Sequence, residues 1–251
     1  MIRTIVVYRH AIRVTLLLGN LILFTVLVAI GGLTPIPLPV AQELYNELAS
    51  IPITPVAIFF HNMQIILLEV IPFLGTFFLM LSGFSSGLGL SAICLVEGIS
   101  PPDAIWSLLN QFPHTWLEFF AYSLAAVEGT MVFLMLIAVG FRLLFRRELE
   151  ILVLTFVGCN MLLAVASVFE TAAILYGYLA VVITWIAFGA LVVAVVYYDA
   201  KKRGMKLPHP LIPLVFIEMF TLLGLALPTL LIFALLLWTK HVKYKVVPGK
   251  G

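Results

Sequence analysis

The sequence predicts an all-α fold: a polytopic, integral membrane helical bundle with six to eight membrane segments. Hydrophobic residues make up 63% of the 251 residues and charged residues only 10%, whereas a typical soluble domain is about 45–50% apolar and about 25% charged. The mean hydropathy is +1.18. The fourteen Lys and Arg residues all fall in four short clusters beside apolar stretches, which is typical of cytoplasmic anchors rather than of a nucleic-acid surface.

The first apolar stretch, residues 14–33, follows a basic N-terminus and is long enough to cross a bilayer core of roughly 30 Å. It exceeds the apolar part of a usual signal peptide, and no small-x-small cleavage site follows, so we expect an uncleaved anchor. Residues 1–33 therefore form the basic N-terminus and first transmembrane helix. The N-terminus is predicted to lie in the cytoplasm, with the protein in the cell membrane.

The core of the bundle is predicted over residues 34–198. A proline-rich stretch without basic residues comes first and indicates an external loop with a short helix over residues 40–49. Residues 56–96 carry a single charge and suffice for two spans. The turn between these spans is predicted at "SGFSSG", residues 82–87, because small residues permit a tight turn. Pro101 and Pro102 then open a short interfacial helix.

The remaining spans are predicted at residues 115–145, 149–174 and 178–197. This count places the first three basic clusters on the cytoplasmic side, in agreement with the positive-inside rule. Residues 199–251 comprise a basic loop and a C-terminal membrane helix or hairpin. The apolar stretch 211–238 either crosses once or, broken at "GLALP", residues 224–228, returns to the same side.

Acidic side chains within the predicted spans are the main chemical signal. These are Glu69, Glu118, Glu128, Glu170 and Glu218. A charged acid at the bilayer centre costs roughly 2.5 kcal/mol or more, which protonation, pairing with a cation or a water-filled cavity avoids. No Lys or Arg is expected at the same depth, so protonation or a cavity is favoured. We expect other helices of the same chain to shelter Glu69 and Glu128 from lipid.

The stretch "FPHTWLEFFAYSLAAVEG", residues 112–129, supports two interpretations. Thr115 and Glu118 have the spacing of a capping box, in which both side chains bond free amides at a helix start. His114 and Glu118 are four residues apart and share a helix face, so with His61 they are also candidates for a proton or cation site. Both interpretations stay open at this level.

Other polar and small residues complete the candidate set. HExxH, CxxC and nucleophile-elbow motifs are absent, so we predict no catalytic residue, no metal site and no cofactor. Two cysteines in apolar segments are expected to be buried and unpaired. The candidate intramembrane polar site comprises His61, Asn62, Glu69, His114, Glu118, Glu128 and Glu170. The residues predicted to allow close helix packing are Gly75, Gly83, Gly87 and Gly129.

Three blocks in residues 50–175 resemble the stage II sporulation protein M family of polytopic membrane proteins. The blocks are "HNMQIILLEVIPFLGTFFLMLSGFSSGLGLSA", "FPHTWLEFFAYSLAAVEG" and "LLAVASVFETA". Thr115 stands where the family commonly has glycine. The matching positions are His61, Asn62, Gly75, Gly83, Gly87, Pro113, His114, Glu118, Gly129 and Glu170. The resemblance implies a membrane partner of cell-wall-degrading proteins in spore formers, while relatives in other organisms have no established activity.

Two functional hypotheses follow. The resemblance and the packing glycines favour a non-enzymatic membrane component that assembles with itself or with a membrane-protein partner in the lipid bilayer. The unpaired acids favour a proton- or cation-coupled transporter or channel that uses intramembrane Glu and His residues. An intramembrane metalloenzyme is a third and weaker alternative, since no recognised ligand motif is present.

Overall fold

The computed structural model describes residues 2–139 and 143–202. This part of the chain is all helical and contains no strand. Its helices are α1 (Ile2–Leu33), α2 (Leu38–Ala49), α3 (Pro55–Glu69), α4 (Gly75–Glu97), α5 (Pro101–Gln111), α6 (Pro113–Val139) and α7 (Leu143–Lys202). The predictions for residues 203–251, including the last membrane helix or hairpin and Glu218, lie outside the described residues.

Four helical stretches are long and apolar enough to cross a membrane. They are Ala11–Leu33, Gly75–Glu97, His114–Ala138 and Arg146–Gly177. The prediction of an all-helical membrane protein is therefore confirmed for the described residues. The number of six to eight segments, the cell membrane and the cytoplasmic N-terminus remain predictions.

The central helix of the bundle is α6. In the apolar part of its span 67% of the residues are buried, against 28% for the α1 span and 22% for the α7 span. Its buried face is rich in small residues such as Ala121, Ala125 and Ala126, which allow neighbouring helices to approach closely. Phe24 of α1 fills the space beside α6, with its ring edge-on to Phe119 at 4.7 Å between ring centroids. The apolar core thus lies between α1, α4, α6 and α7.

The turn between the second and third apolar helices is not where the sequence analysis placed it. Residues 82–87 lie inside α4, and the chain reverses instead between Glu69 and Gly75. Pro72 has no backbone N–H and interrupts the helical ladder. Phe73 adopts φ 74°, a left-handed conformation uncommon for a bulky residue. The predicted turn was wrong because small residues in a membrane helix also serve helix contacts.

The small residues of α4 lie against α1. A Cβ at Gly83 would come within 3.0 Å of the Phe24 ring, and one at Gly87 would collide with the Val28 carbonyl and come within 2.7 Å of the Gly31 Cα. Near the α3–α4 turn, Gly129 of α6 would place a Cβ 3.0 Å from the Glu69 carbonyl oxygen, and a Cβ at Gly75 would collide with the same oxygen. These glycines therefore act in contacts within one chain.

The bundle has two ends, which we name by their contents. The capped end carries α2 and α5: Leu48 of α2 lies beside Gly89 of α4, and Ile105 of α5 lies beside Gly32 of α1. The basic end carries Arg9, Arg13 and the start of α7. The predicted break between residues 174 and 178 lies at Gly177, which is non-helical within α7 (φ 73°, ψ −172°). Residues 143–145, predicted to end the preceding span, belong to α7.

Candidate functional site

A cavity of about 450 Å³ opens at the capped end between α2, α3, α4, α6 and α7. Its apolar wall is formed mainly by isoleucine and leucine side chains. Three carboxylates, Glu97, Glu118 and Glu170, line it, and none of the described residues that do so is Lys or Arg. The remaining polar lining comes from Tyr45, His61 and Asn62. The cavity is therefore acidic, which favours a positively charged occupant.

Two of the acids meet within this cavity. The carboxyl groups of Glu118 on α6 and Glu170 on α7 line the same cavity and lie close enough to interact directly. The Asn62 side chain of α3 donates its Nδ2 hydrogen to Glu118 Oε1 at 2.8 Å. Both residues are half-buried. Three helices therefore position one acid pair, and this pair is reachable from the cavity.

At the mouth of the cavity, Tyr45 of α2 donates its hydroxyl hydrogen to Glu97 Oε1 at 3.2 Å. This hydrogen bond raises the pKa of Tyr45, because ionisation would place a second negative charge beside the carboxylate. His61 lies at the same mouth and is exposed. Of the seven predicted polar-site residues, the cavity brings together His61, Asn62, Glu118 and Glu170.

His114 does not join them. Its ring is buried beside Phe112, 5.5 Å between ring centroids, and its Nδ1 has no hydrogen-bond partner among the described residues. The capping-box interpretation of Thr115 and Glu118 is wrong. The Thr115 hydroxyl makes no hydrogen bond within the part of the chain described, while Glu118 accepts a hydrogen bond from Asn62. Helix α6 begins earlier, at Pro113.

Glu69 lies deeper, at the end of α3, and is fully buried. Its Oε1 accepts a hydrogen bond of 3.0 Å from the Ser82 hydroxyl of α4, and its Oε2 has no partner among the described residues. Tyr122 follows Glu118 by about one turn on α6 and interacts electrostatically with Glu69, Glu118 and Glu170. This tyrosine is therefore near both the buried acid and the cavity pair.

A separate ion-pair cluster lies at the basic end. The Arg13 guanidinium of α1 donates to Glu128 of α6 through Nε at 2.8 Å and Nη2 at 3.1 Å. It also donates to Glu148 of α7, and Arg9 lies 3.8 Å from the same carboxylate. Two cations and two carboxylates thus form a neutral, buried cluster that joins three helices.

This cluster corrects one sequence-based expectation. We expected no basic residue at the depth of the acids, yet Arg13 is buried at 8% exposure and pairs with Glu128. Arg13 was interpreted as a surface anchor and Glu148 was missed. The available signal was the position of Arg13 directly before an apolar span, close enough for its long side chain to reach an acid on a neighbouring helix.

Among the described residues, no group of three or more His, Cys, Asp and Glu side chains could hold a metal ion. Cys94 and Cys159 are buried and free. No protein-family model, curated protein or solved structure matches the chain. The fold and site define a helical membrane protein with a half-buried acid pair in an acidic cavity. Membership of the stage II sporulation protein M family remains a prediction from the sequence.

Proposed function

We propose that the protein is a membrane transport protein that moves protons, or a small cation in their place, with the Glu118–Glu170 pair as its binding site. The observation that carries this proposal is the neighbouring pair of carboxyl groups, Glu118 and Glu170, inside a cavity lined by acids and, among the described residues, by no Lys or Arg. An intramembrane ionisable residue without a structural ion-pair partner is a functional candidate by default.

The chemistry of the pair follows from electrostatics. Two neighbouring carboxylates in a low-dielectric site repel each other, so the pair retains one positive charge, most simply a shared proton. The Asn62 amide holds Glu118 in place through its Nδ2 hydrogen. A second proton can then bind to the pair from water in the cavity, which takes the site from one negative charge to neutral, and its release restores the single negative charge. The lack of a metal-binding group in the described residues favours protons over a metal ion.

The position of the pair also suits transport. Glu118 and Glu128 lie on the same helix, ten residues or about 15 Å apart at 1.5 Å per residue. The acid pair therefore belongs to the capped end, and the neutral Arg13 cluster belongs to the basic end. A cation that enters from the cavity therefore meets a site that attracts it at the capped end, whereas the charges of the Arg13 cluster at the basic end compensate one another.

The test is proton flux into proteoliposomes under an imposed pH gradient, followed by an internal pH dye. We expect wild-type flux above that of empty vesicles, and at least a tenfold reduction in Glu118→Gln and Glu170→Gln. Glu150→Gln is the matched control, because the Glu150 side chain is 65% exposed and removed from the cavity. Flux that is absent in wild type, or equal in all four proteins, would reject the proposal.

A second candidate is the non-enzymatic assembly component implied by the family resemblance. One observation favours it: the α7 face that carries Val153, Leu154, Val157 and Met161 is exposed, and Gly158 on this helix has open space around its Cβ position. We expect a dimer or larger species when the mass of the detergent-solubilised protein is measured. A monomer that is unchanged by Gly158→Leu would count against this candidate.

A further inference from the structure

Glu69 has an environment that its role in the fold does not explain. It is a fully buried carboxyl group at the end of α3. None of the described Lys or Arg side chains forms an ion pair with it. One of its oxygens, Oε2, makes no hydrogen bond with the described residues. A permanently charged carboxylate in this position would be unpaired and desolvated, which is strongly unfavourable in a membrane protein.

Ser82 is placed to accommodate both protonation states of Glu69. Its hydroxyl hydrogen can reach either of two acceptors, Glu69 Oε1 at 3.0 Å or the Leu79 carbonyl oxygen at 3.1 Å. An ionised Glu69 accepts the hydrogen bond from Ser82. A protonated Glu69 donates to the Ser82 oxygen, while Ser82 turns its hydrogen to Leu79. The local hydrogen bonds therefore tolerate a proton arriving or leaving.

Tyr122 lies near both this carboxyl group and the cavity pair. It follows Glu118 by four residues, about one turn, on α6, and it interacts electrostatically with Glu69 and Glu170. Tyr122 is itself held by packing, since its ring lies 5.6 Å from that of Phe24. The Ser82 hydroxyl of α4 is hydrogen-bonded to Glu69, and the buried thiol of Cys159 on α7 interacts with it electrostatically. None of these neighbours carries a positive charge.

We propose that Glu69 is a second, internal proton-binding site, and that it exchanges its proton with the Glu118–Glu170 pair through the Tyr122 hydroxyl. In each transfer the pair loses one proton, Tyr122 accepts one and releases one, and the Glu69 carboxylate gains one. The direction reverses when Glu69 releases its proton. This inference rests on the proposed function, because the pair supplies the proton from the cavity.

Infrared difference spectroscopy of the full-length protein tests the site without reference to transport. A protonated carboxyl group has a C=O stretch that shifts in D₂O and is absent from carboxylates. We expect wild type to show such a band, Glu69→Gln to lose it, and Ser82→Ala to shift its frequency because the hydrogen bond changes. Glu150→Gln, which alters an exposed acid, should leave the band unchanged. If wild type and Glu69→Gln have identical spectra in the region of the C=O stretch at every pH, Glu69 is not a proton-binding site. If Glu69→Gln does not fold, the frequency shift in Ser82→Ala decides instead, and the absence of a shift would overturn the inference.

Proton flux tests the route. Where wild type transports protons, Glu69→Gln and Tyr122→Phe should each reduce flux at least tenfold, and Tyr122→Phe keeps the ring contact with Phe24. Flux that is lost in Glu118→Gln but unchanged in Glu69→Gln and Tyr122→Phe would overturn the inference while the proposed function stands. Absence of wild-type flux would reject the proposed function, and the infrared result would then decide the Glu69 site alone.

Discussion

Replacing Arg13 by Met tests how the basic end is held together. The substitution removes the cation that bonds both Glu128 and Glu148, whose exposed fractions are 2% and 0%. Met preserves the apolar stem of the side chain, so packing changes little. Breaking a buried ion pair by removing one partner costs about 3–5 kcal/mol, because the other charges stay buried without compensation. Arg9, at 3.8 Å from Glu148 and not bonded to Glu128, compensates only in part.

The expected loss is large enough to measure by thermal unfolding in mild detergent. For a chain of this size, 1 kcal/mol corresponds to roughly 2–4 °C in Tm, so Arg13→Met should lower Tm by roughly 6–20 °C. The control is Arg146→Met, which breaks an exposed pair with Glu150 of 3.7 Å on one face of α7. Such pairs contribute about 0.3–0.5 kcal/mol, so its Tm should change by no more than about 2 °C.

A rescue variant separates the lost charge from lost packing. Replacing Arg13, Glu128 and Glu148 together by Met, Leu and Leu removes the whole cluster, and apolar replacement of a buried ion pair is often neutral or stabilising. We therefore expect the triple variant to recover most of the lost Tm. If Arg13→Met matches Arg146→Met, or if the triple variant is less stable than Arg13→Met, the account of a buried and charge-compensated cluster is refuted.

Two further predictions concern packing and pH. Gly87→Ala should destabilise the bundle by about 1–3 kcal/mol, because the added Cβ meets the α1 backbone. Gly158→Ala is the control and should be neutral or slightly stabilising, because the space around its Cβ position is open. Equal Tm values for the two variants would contradict the α1–α4 contact. Tyr45 should titrate above its ordinary pKa because of its hydrogen bond to Glu97. The stability that this hydrogen bond contributes is present below the ordinary pKa of tyrosine. It is lost as the pH rises through the raised pKa of Tyr45. The difference between the ultraviolet titrations of wild type and Tyr45→Phe measures the pKa of Tyr45. This pKa should fall in Glu97→Gln. An unchanged pKa in that variant would argue against the Tyr45–Glu97 hydrogen bond.

The sequence predicted the elements that composition and proline placement control. The α1 span, the short α2 and α5 helices and the break between residues 174 and 178 all lie where apolar length or proline indicated them. The turn near Pro72 was misplaced because "SGFSSG" has two physical uses, as a turn and as a helix contact. Only the position of α1 against α4 distinguishes them, and a single sequence does not contain that information.

The sequence predicted which residues belong to the site better than it predicted how they are arranged. Burial cost alone identifies Glu69, Glu118, Glu128 and Glu170 as unusual. It does not show which acids share a cavity and which one is neutralised by Arg13, since α1 and α6 are brought together only by folding. The spacing of Thr115 and Glu118 was misleading because local hydrogen-bond patterns compete with contacts from other helices.

Access of water to the acid pair is the most direct test of the central claim. Glu118→Cys should react with a membrane-impermeant, cationic thiol reagent in the folded, purified protein, because the Glu118 side chain lines the acidic cavity. The native cysteines are buried and give a low background, and Met131→Cys, at a fully buried core position, serves as the matched control. The account predicts rapid labelling at position 118 and none at position 131 until the protein is denatured. Labelling at position 118 that is as slow as at position 131 would contradict it.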